Sequence, residues 1–144
     1  MFSKACEYGI KACVFIAQES VSRKRVNLKE IAKSINSPEA YTAKILQQLV
    51  KSDVIKSVKG KMGGFEMDAD HLKDIRLVDI VVAIDGNGIY HSCILGLVEC
   101  DAKKPCALHS RVFEIRKDLR TMLEQTTMFN LIDDIEKGFA FLKH

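Results

Sequence analysis

The sequence predicts a mainly α-helical fold with one small β-hairpin. Three observations predict it. Two short amphipathic segments around 27–36 and 37–51 meet at a tight turn. A glycine-rich turn then separates two short β-prone runs, Val54–Val58 and Phe65–Met67. Finally, apolar residues recur in steps of four and three over 108–122, the period of a long helix with a single seam.

Taken in order, the first helix is expected over about 3–19. Cys6, Ile10, Cys13, Val14 and Ala17 form its apolar stripe, with Lys4, Glu7, Lys11 and Gln18 opposite. Ser20–Arg25 reads as a polar, basic loop. Asn27 opens the second helix as N-cap, and Glu30 completes a capping-box-like pair. Leu28, Ile31, Ala32 and Ile35 follow helical spacing, and the helix stops near Asn36. The third helix is expected to start with Ser37 as N-cap and Pro38 at its first position, where a missing N–H does no harm. Thr42, Ile45, Leu46 and Leu49 make its buried face. Two short helices joined this tightly form a helix-turn-helix.

The hairpin comes next. Gly60, Gly63 and Gly64 imply positive φ or close backbone approach in its turn. A hairpin directly after a helix-turn-helix is a wing. Leu77–Ile84 is a short apolar helix ended by Asp85-Gly86. Residues 87–108 read as irregular and hold three of the five cysteines. In the long helix, Leu108, Val112, Ile115, Leu119 and Met122 form the seam, which a second copy or the chain's own core must cover. Met128–Leu142 reads as a last amphipathic helix. The expected division is a winged helix-turn-helix domain at 1–86, a cysteine-bearing loop at 87–108, and a dimerisation helix with a C-terminal helix at 109–144.

Hydrophobic residues make up 47% of the 144 and charged residues 28%, as in a soluble globular chain. The longest apolar run, Ala12–Ala17, falls far short of the ~20 residues of a membrane span. The N-terminus lacks the layout of a signal peptide, so a cytoplasmic chain with reduced thiols is expected. Residues 1–61 hold 12 Lys+Arg against 5 Asp+Glu, or +7, and residues 62–144 hold 10 against 14, or −4; together they give the net +3. The basic half suits a polyanion.

On the third helix, Ala40, Tyr41, Lys44, Gln47, Gln48 and Lys51 lie opposite the buried face. Ser37, Tyr41, Lys44 and Gln48 are its candidate DNA contacts, with Lys59 and Lys61 of the wing for phosphates or the minor groove. Each alone would pass as solvated surface; helix pair, wing and charge together point to double-stranded DNA.

The second constellation is Cys93-x6-Cys100-x5-Cys106-x2-His109. Thiolates suit zinc or iron–sulfur clusters, and the gaps are wider than those of zinc ribbons. Lys103 and Lys104 would offset thiolate charge, whereas Cys6 and Cys13 read as core. A catalytic reading of Cys106 with His109 lacks an orienting third group, so no enzyme is expected.

These residues resemble the Rrf-two family of bacterial winged-helix regulators over nearly the whole chain. The likeness is carried by Glu7-Tyr8 and Ala12, by Tyr41–Leu46, by Ser57–Phe65, by Ile75–Ile80 and Ala83–Gly86, and by the cysteine triplet. It implies a homodimer built on the long helix, with a [2Fe–2S] or [4Fe–4S] cluster held by Cys93, Cys100 and Cys106. For the fourth ligand, one branch of the family implies His109. Another implies Glu7 from the other subunit, a residue that could equally form an ion pair with Lys4 or Lys11. The function so implied is a DNA-binding regulator, in the main a repressor, that senses redox state, nitric oxide or iron–sulfur status. Two alternatives stay open: a family regulator without a cluster that answers to a partner or to thiol oxidation, and a protein-interaction module of iron–sulfur assembly that binds no DNA.

Overall fold

The computed structural model describes residues 1–142; residues 143 and 144, the end of the expected third segment, lie outside the described residues. The elements are α1 (Lys4–Val21), α2 (Leu28–Ser34), α3 (Glu39–Lys51), β1 (Lys56–Val58), β2 (Gly64–Glu66), α4 (Leu77–Asp85), α5 (Gly88–His91), α6 (His109–Gln125) and α7 (Met128–Glu136). The helix-turn-helix and its wing are present as the pattern predicts.

Local chemistry explains the boundaries. Ser3 caps α1 by accepting from the Cys6 amide at 3.0 Å, and its own amide donates to Asp85 at the end of α4 at 2.9 Å. Asn27 and Glu30 exchange both hydrogen bonds of a capping box at 2.9 Å. Ser37 is not the cap of α3. Asn36 takes φ +52° and the Ser37 amide donates back to the Ala32 carbonyl, so Ser37 finishes α2. Pro38 is the N-cap, and its carbonyl accepts from both the amide and the hydroxyl of Thr42.

The strands pair antiparallel with Ser57 opposite Phe65, and Val26 bridges to Phe65 through two hydrogen bonds. Val54 and Ile55, expected in the strand, instead enter the core just before it. Ser20, expected in a loop, closes α1; it is buried, and its hydroxyl accepts from the Met67 amide at 2.9 Å. A short helix, α5, interrupts the segment expected to be wholly irregular. The last helix ends at Glu136 rather than Leu142, and Gly138 follows at φ +76°.

One core joins the two ends of the chain. Leu123, Met128 and Ile132 from α6 and α7 pack with Cys6, Ile16, Ile45, Leu49 and Ile80 of the winged part. Backbone bonds reinforce this: Leu77 donates to Thr126 O and Met128 to Ile75 O, each at 2.8 Å. The seam of α6 therefore divides. Leu119 packs against the chain's own core, while Leu108, Ile115 and Met122, with Phe113 beside them, stay exposed.

This division predicts unequal responses along one helix. Leu123→Ala should cost about 2–5 kcal/mol, the range for a truncated, fully buried leucine. Ile115→Ala, at a position 67% exposed, should leave the stability of the single chain within about 0.5 kcal/mol. Urea unfolding midpoints at low protein concentration check the pair, and equal losses would contradict the assignment of faces.

Candidate nucleic-acid interface and cysteine site

Helix α3 turns Thr42, Ile45, Leu46 and Leu49 inward, which leaves Ala40, Tyr41, Lys44, Gln47, Gln48 and Lys51 exposed together. The Tyr41 ring meets Tyr8 of α1 edge-on at 5.8 Å. The ammonium groups of Lys4 and Lys11 lie 5.2 and 5.8 Å from the Tyr8 ring centre. Tyr8 thus ties α3 to a cationic flank of α1. The spacing of Lys4, Tyr8 and Lys11, at i, i+4 and i+7, carries that signal in the sequence. Ser37 stands apart from the other candidates: its hydroxyl oxygen is covered and has no hydrogen-bond partner among the described residues.

In the wing, Lys59 and Lys61 are exposed on the turn. The turn itself is packed backbone against backbone. A Cβ on Gly63 would sit 2.2 Å from the Val58 carbonyl oxygen, and one on Gly64, at φ +140°, would sit 2.7 Å from that of Val26. Arg25 fixes the turn from outside, donating to Glu66 at 2.9 Å and to the Met62 carbonyl at 3.2 Å. Sequence reasoning left Arg25 in a basic loop; only the fold brings it to residues some forty positions on.

The loop cysteines are half-buried, whereas Cys6 and Cys13 are fully buried, as expected. The Cys93 sulfur accepts from the backbone amides of Leu97 and Leu95, and these bonds, with the Cys106 side chain and the Arg116 charge, hold its thiol below the usual pKa. Cys100 Sγ lies 3.4 Å from His109 Nδ1 and 3.7 Å from the Arg116 guanidinium, which also donates to the Ser92 carbonyl. The structure thus brings together two pairs, Cys93 with Cys106 and Cys100 with His109, with Arg116 between them. Among the described residues no three Cys, His, Asp or Glu side chains converge as a metal centre. Glu7 lies elsewhere, in an ion pair with Lys4 at 3.0 Å; that hydrogen bond and charge lower its pKa.

The family model for Rrf2, described as an iron-dependent transcriptional regulator, matches residues 2–134. The chain belongs to the Rrf2 family. A protein of Aquifex aeolicus described as an HTH-type transcriptional regulator is 31% identical over 140 residues, covering 95% of this chain and 94% of its own. The HTH-type transcriptional regulator NsrR of Oceanobacillus iheyensis is 21% identical over 140 residues, covering 96% and 94%. Two solved structures share the fold. The global cysteine regulator CymR of B. subtilis superimposes with TM-score 0.74 at 22% identity, covering 92% of this chain and 96% of that one. IscR of T. potens does so with TM-score 0.72 at 24% identity, covering 99% and 93%. This Rrf2 protein is therefore a DNA-binding transcriptional regulator with a winged helix-turn-helix, and not an enzyme. No helix among the described residues is long and apolar enough to cross a membrane.

The thiols of this Rrf2 protein should differ sharply in reactivity. Burial, and after it the Asp85 charge, pushes Cys6 up to about 12, and burial pushes Cys13 up further. Cys93 is shifted the other way, so its thiolate fraction is larger at any pH below its ordinary value. In native, metal-free protein at about pH 7, iodoacetamide should label Cys93 well before Cys6 or Cys13. Peptide mass spectrometry gives the order, and early labelling of Cys6 or Cys13 would show that α1 does not bury them.

Proposed function

We propose that this chain is a homodimeric, cytoplasmic repressor whose operator affinity is set by an iron–sulfur cluster on the 87–108 loop. The observation that carries this reading is the surroundings of the loop thiols: two backbone N–H donors on Cys93, Cys106 beside it, and the imidazole of His109 and the guanidinium of Arg116 beside Cys100. In kind, these groups fit a cluster, which needs soft ligands, N–H donors to sulfur and positive charge to offset the thiolates. Cys93, Cys100 and Cys106 would be the thiolate ligands. His109, already 3.4 Å from Cys100, is favoured over Glu7 as the fourth. A bound cluster supplies iron able to exchange electrons or take up a small ligand such as nitric oxide.

Dimerisation gives the exposed apolar side chains of α6, Leu108, Phe113, Ile115 and Met122, a partner surface. Tyr41, Lys44 and Gln48 would then read bases in one half-site, and Lys59 and Lys61 would contact phosphates. A second reading, regulation by thiol oxidation without a cluster, is favoured by one feature, the contact of Cys106 with the lowered-pKa thiol of Cys93.

Anaerobic purification with iron and sulfide analysis tests the sensor. Cys93→Ala, Cys100→Ala and Cys106→Ala should each abolish the visible absorbance and leave a folded dimer, while Cys6→Ala and Cys13→Ala should keep it. His109→Ala should bleach or shift the spectrum more than Glu7→Ala. Full absorbance in all three loop variants would overturn the cluster reading.

A separate measurement addresses the wing. Lys59→Ala and Lys61→Ala should each lower the log–log salt slope of operator binding by ~1, with affinity falling for all sequences alike. Unchanged slopes in both would take the wing out of the interface.

A further inference from the structure

Arg116 is absent from every sequence motif discussed above, yet it touches both halves of the cysteine loop. It lies seven residues after His109, two turns along α6 and on the same face. One arm of its guanidinium donates to the Ser92 carbonyl, immediately before Cys93. The other reaches the Cys100 sulfur at 3.7 Å. One turn further on, Arg120 stacks over the Tyr90 ring at 4.6 Å and holds the start of the loop against the same helix.

The partners of Arg116 are unusual in kind. A half-buried guanidinium is ordinarily paired with a carboxylate, but among the described residues Arg116 has no ion pair. Its partners are a neutral carbonyl and a sulfur. A cation left without an anion favours negative charge beside it. Its planar fork also sets two acceptors at a fixed separation, which a lysine ammonium cannot do.

We infer that Arg116 is the positioning residue of the cysteine site: its fork pins Ser92 and Cys100 onto α6, and its charge supports the negative charge gathered on the loop sulfurs. The inference rests on the cluster reading for its charge role only; the pinning role holds for the cluster-free protein too. Because α6 is rooted in the core through Leu119 and Leu123, Arg116 registers the loop against the rigid body of the subunit.

The two roles separate experimentally with Arg116→Gln, which loses charge and fork, and Arg116→Lys, which keeps the charge alone. In cluster-free protein, cleavage after Lys103 and Lys104 by a lysine-specific protease should be several-fold faster in both variants than in wild type, with thermal melts unchanged. In cluster-loaded protein, removing a cation disfavours the more negative, reduced state. Arg116→Gln should therefore shift the reduction potential to more negative values and lose iron faster to a chelator, and Arg116→Lys should restore the potential. Wild-type cleavage rates in both variants would overturn the pinning role, and a wild-type potential in Arg116→Gln would overturn the charge role. Either result leaves the cluster reading standing. If wild-type protein holds no cluster, that reading falls by itself, and the cleavage rates alone decide for or against Arg116.

Discussion

Leu123 has no exposed surface, and the placement of every functional group on the long helix follows from that. With Leu123, Met128 and Ile132 buried among residues of α1, α3 and α4, the C-terminal end of α6 is fixed to the winged domain. At 1.5 Å per residue along α6, His109 stands about 21 Å from this anchor. The N-terminal half of α6 meets the cysteine loop, where His109 and Arg116 both reach Cys100. Between this end and the anchor, Phe113 and Ile115 stay exposed. A helix free at both ends would offer neither a defined seam nor a fixed backing for the loop.

Much of this was legible because it depends on short-range chemistry. The Asn27–Glu30 capping box, the buried faces of α2 and α3 and the glycine-packed wing are set by residues within a few positions of one another. The misread positions are those where a long-range partner decides. Ser20 looks like a loop residue until Met67 donates to it, and Arg25 looks like loose surface charge until the wing turn folds over it. Ser37 has the composition of an N-cap, but Asn36 adopts the left-handed conformation that finishes α2 and gives the Ser37 amide to Ala32. Periodicity placed Leu119 on the seam because spacing alone cannot say which side of an amphipathic helix meets its own core.

The cysteines show the same limit from another direction. Sequence spacing separated Cys6 and Cys13 from the loop triplet correctly, since helical periodicity reports burial. It gave no sign of what surrounds the triplet. The amides of Leu95 and Leu97, and Arg116 two turns along α6, reach the sulfurs only through the path of the loop. These surroundings set thiol chemistry more than the spacing does, because a few hydrogen bonds and one nearby cation decide how much thiolate is present. Two classes of cysteine with opposite shifts follow from burial in one case and N–H donors in the other.

The route from this loop to the exposed face of α3 is short and made of defined contacts. The loop leaves the body at Gly86, directly after Asp85, whose carboxylate accepts from both the amide and the hydroxyl of Ser3. Ser3 caps α1, and one turn along α1 the Tyr8 ring meets Tyr41 at the start of the recognition helix. Each step joins a backbone element to a side chain whose alternatives are few: a cap hydrogen bond, a buried helix, an edge-on ring pair. Movement of the loop where it leaves α4 bears on Asp85, and through Ser3 and α1 on the Tyr8–Tyr41 contact. These contacts reach the exposed face of α3 without passing through the core around Leu123.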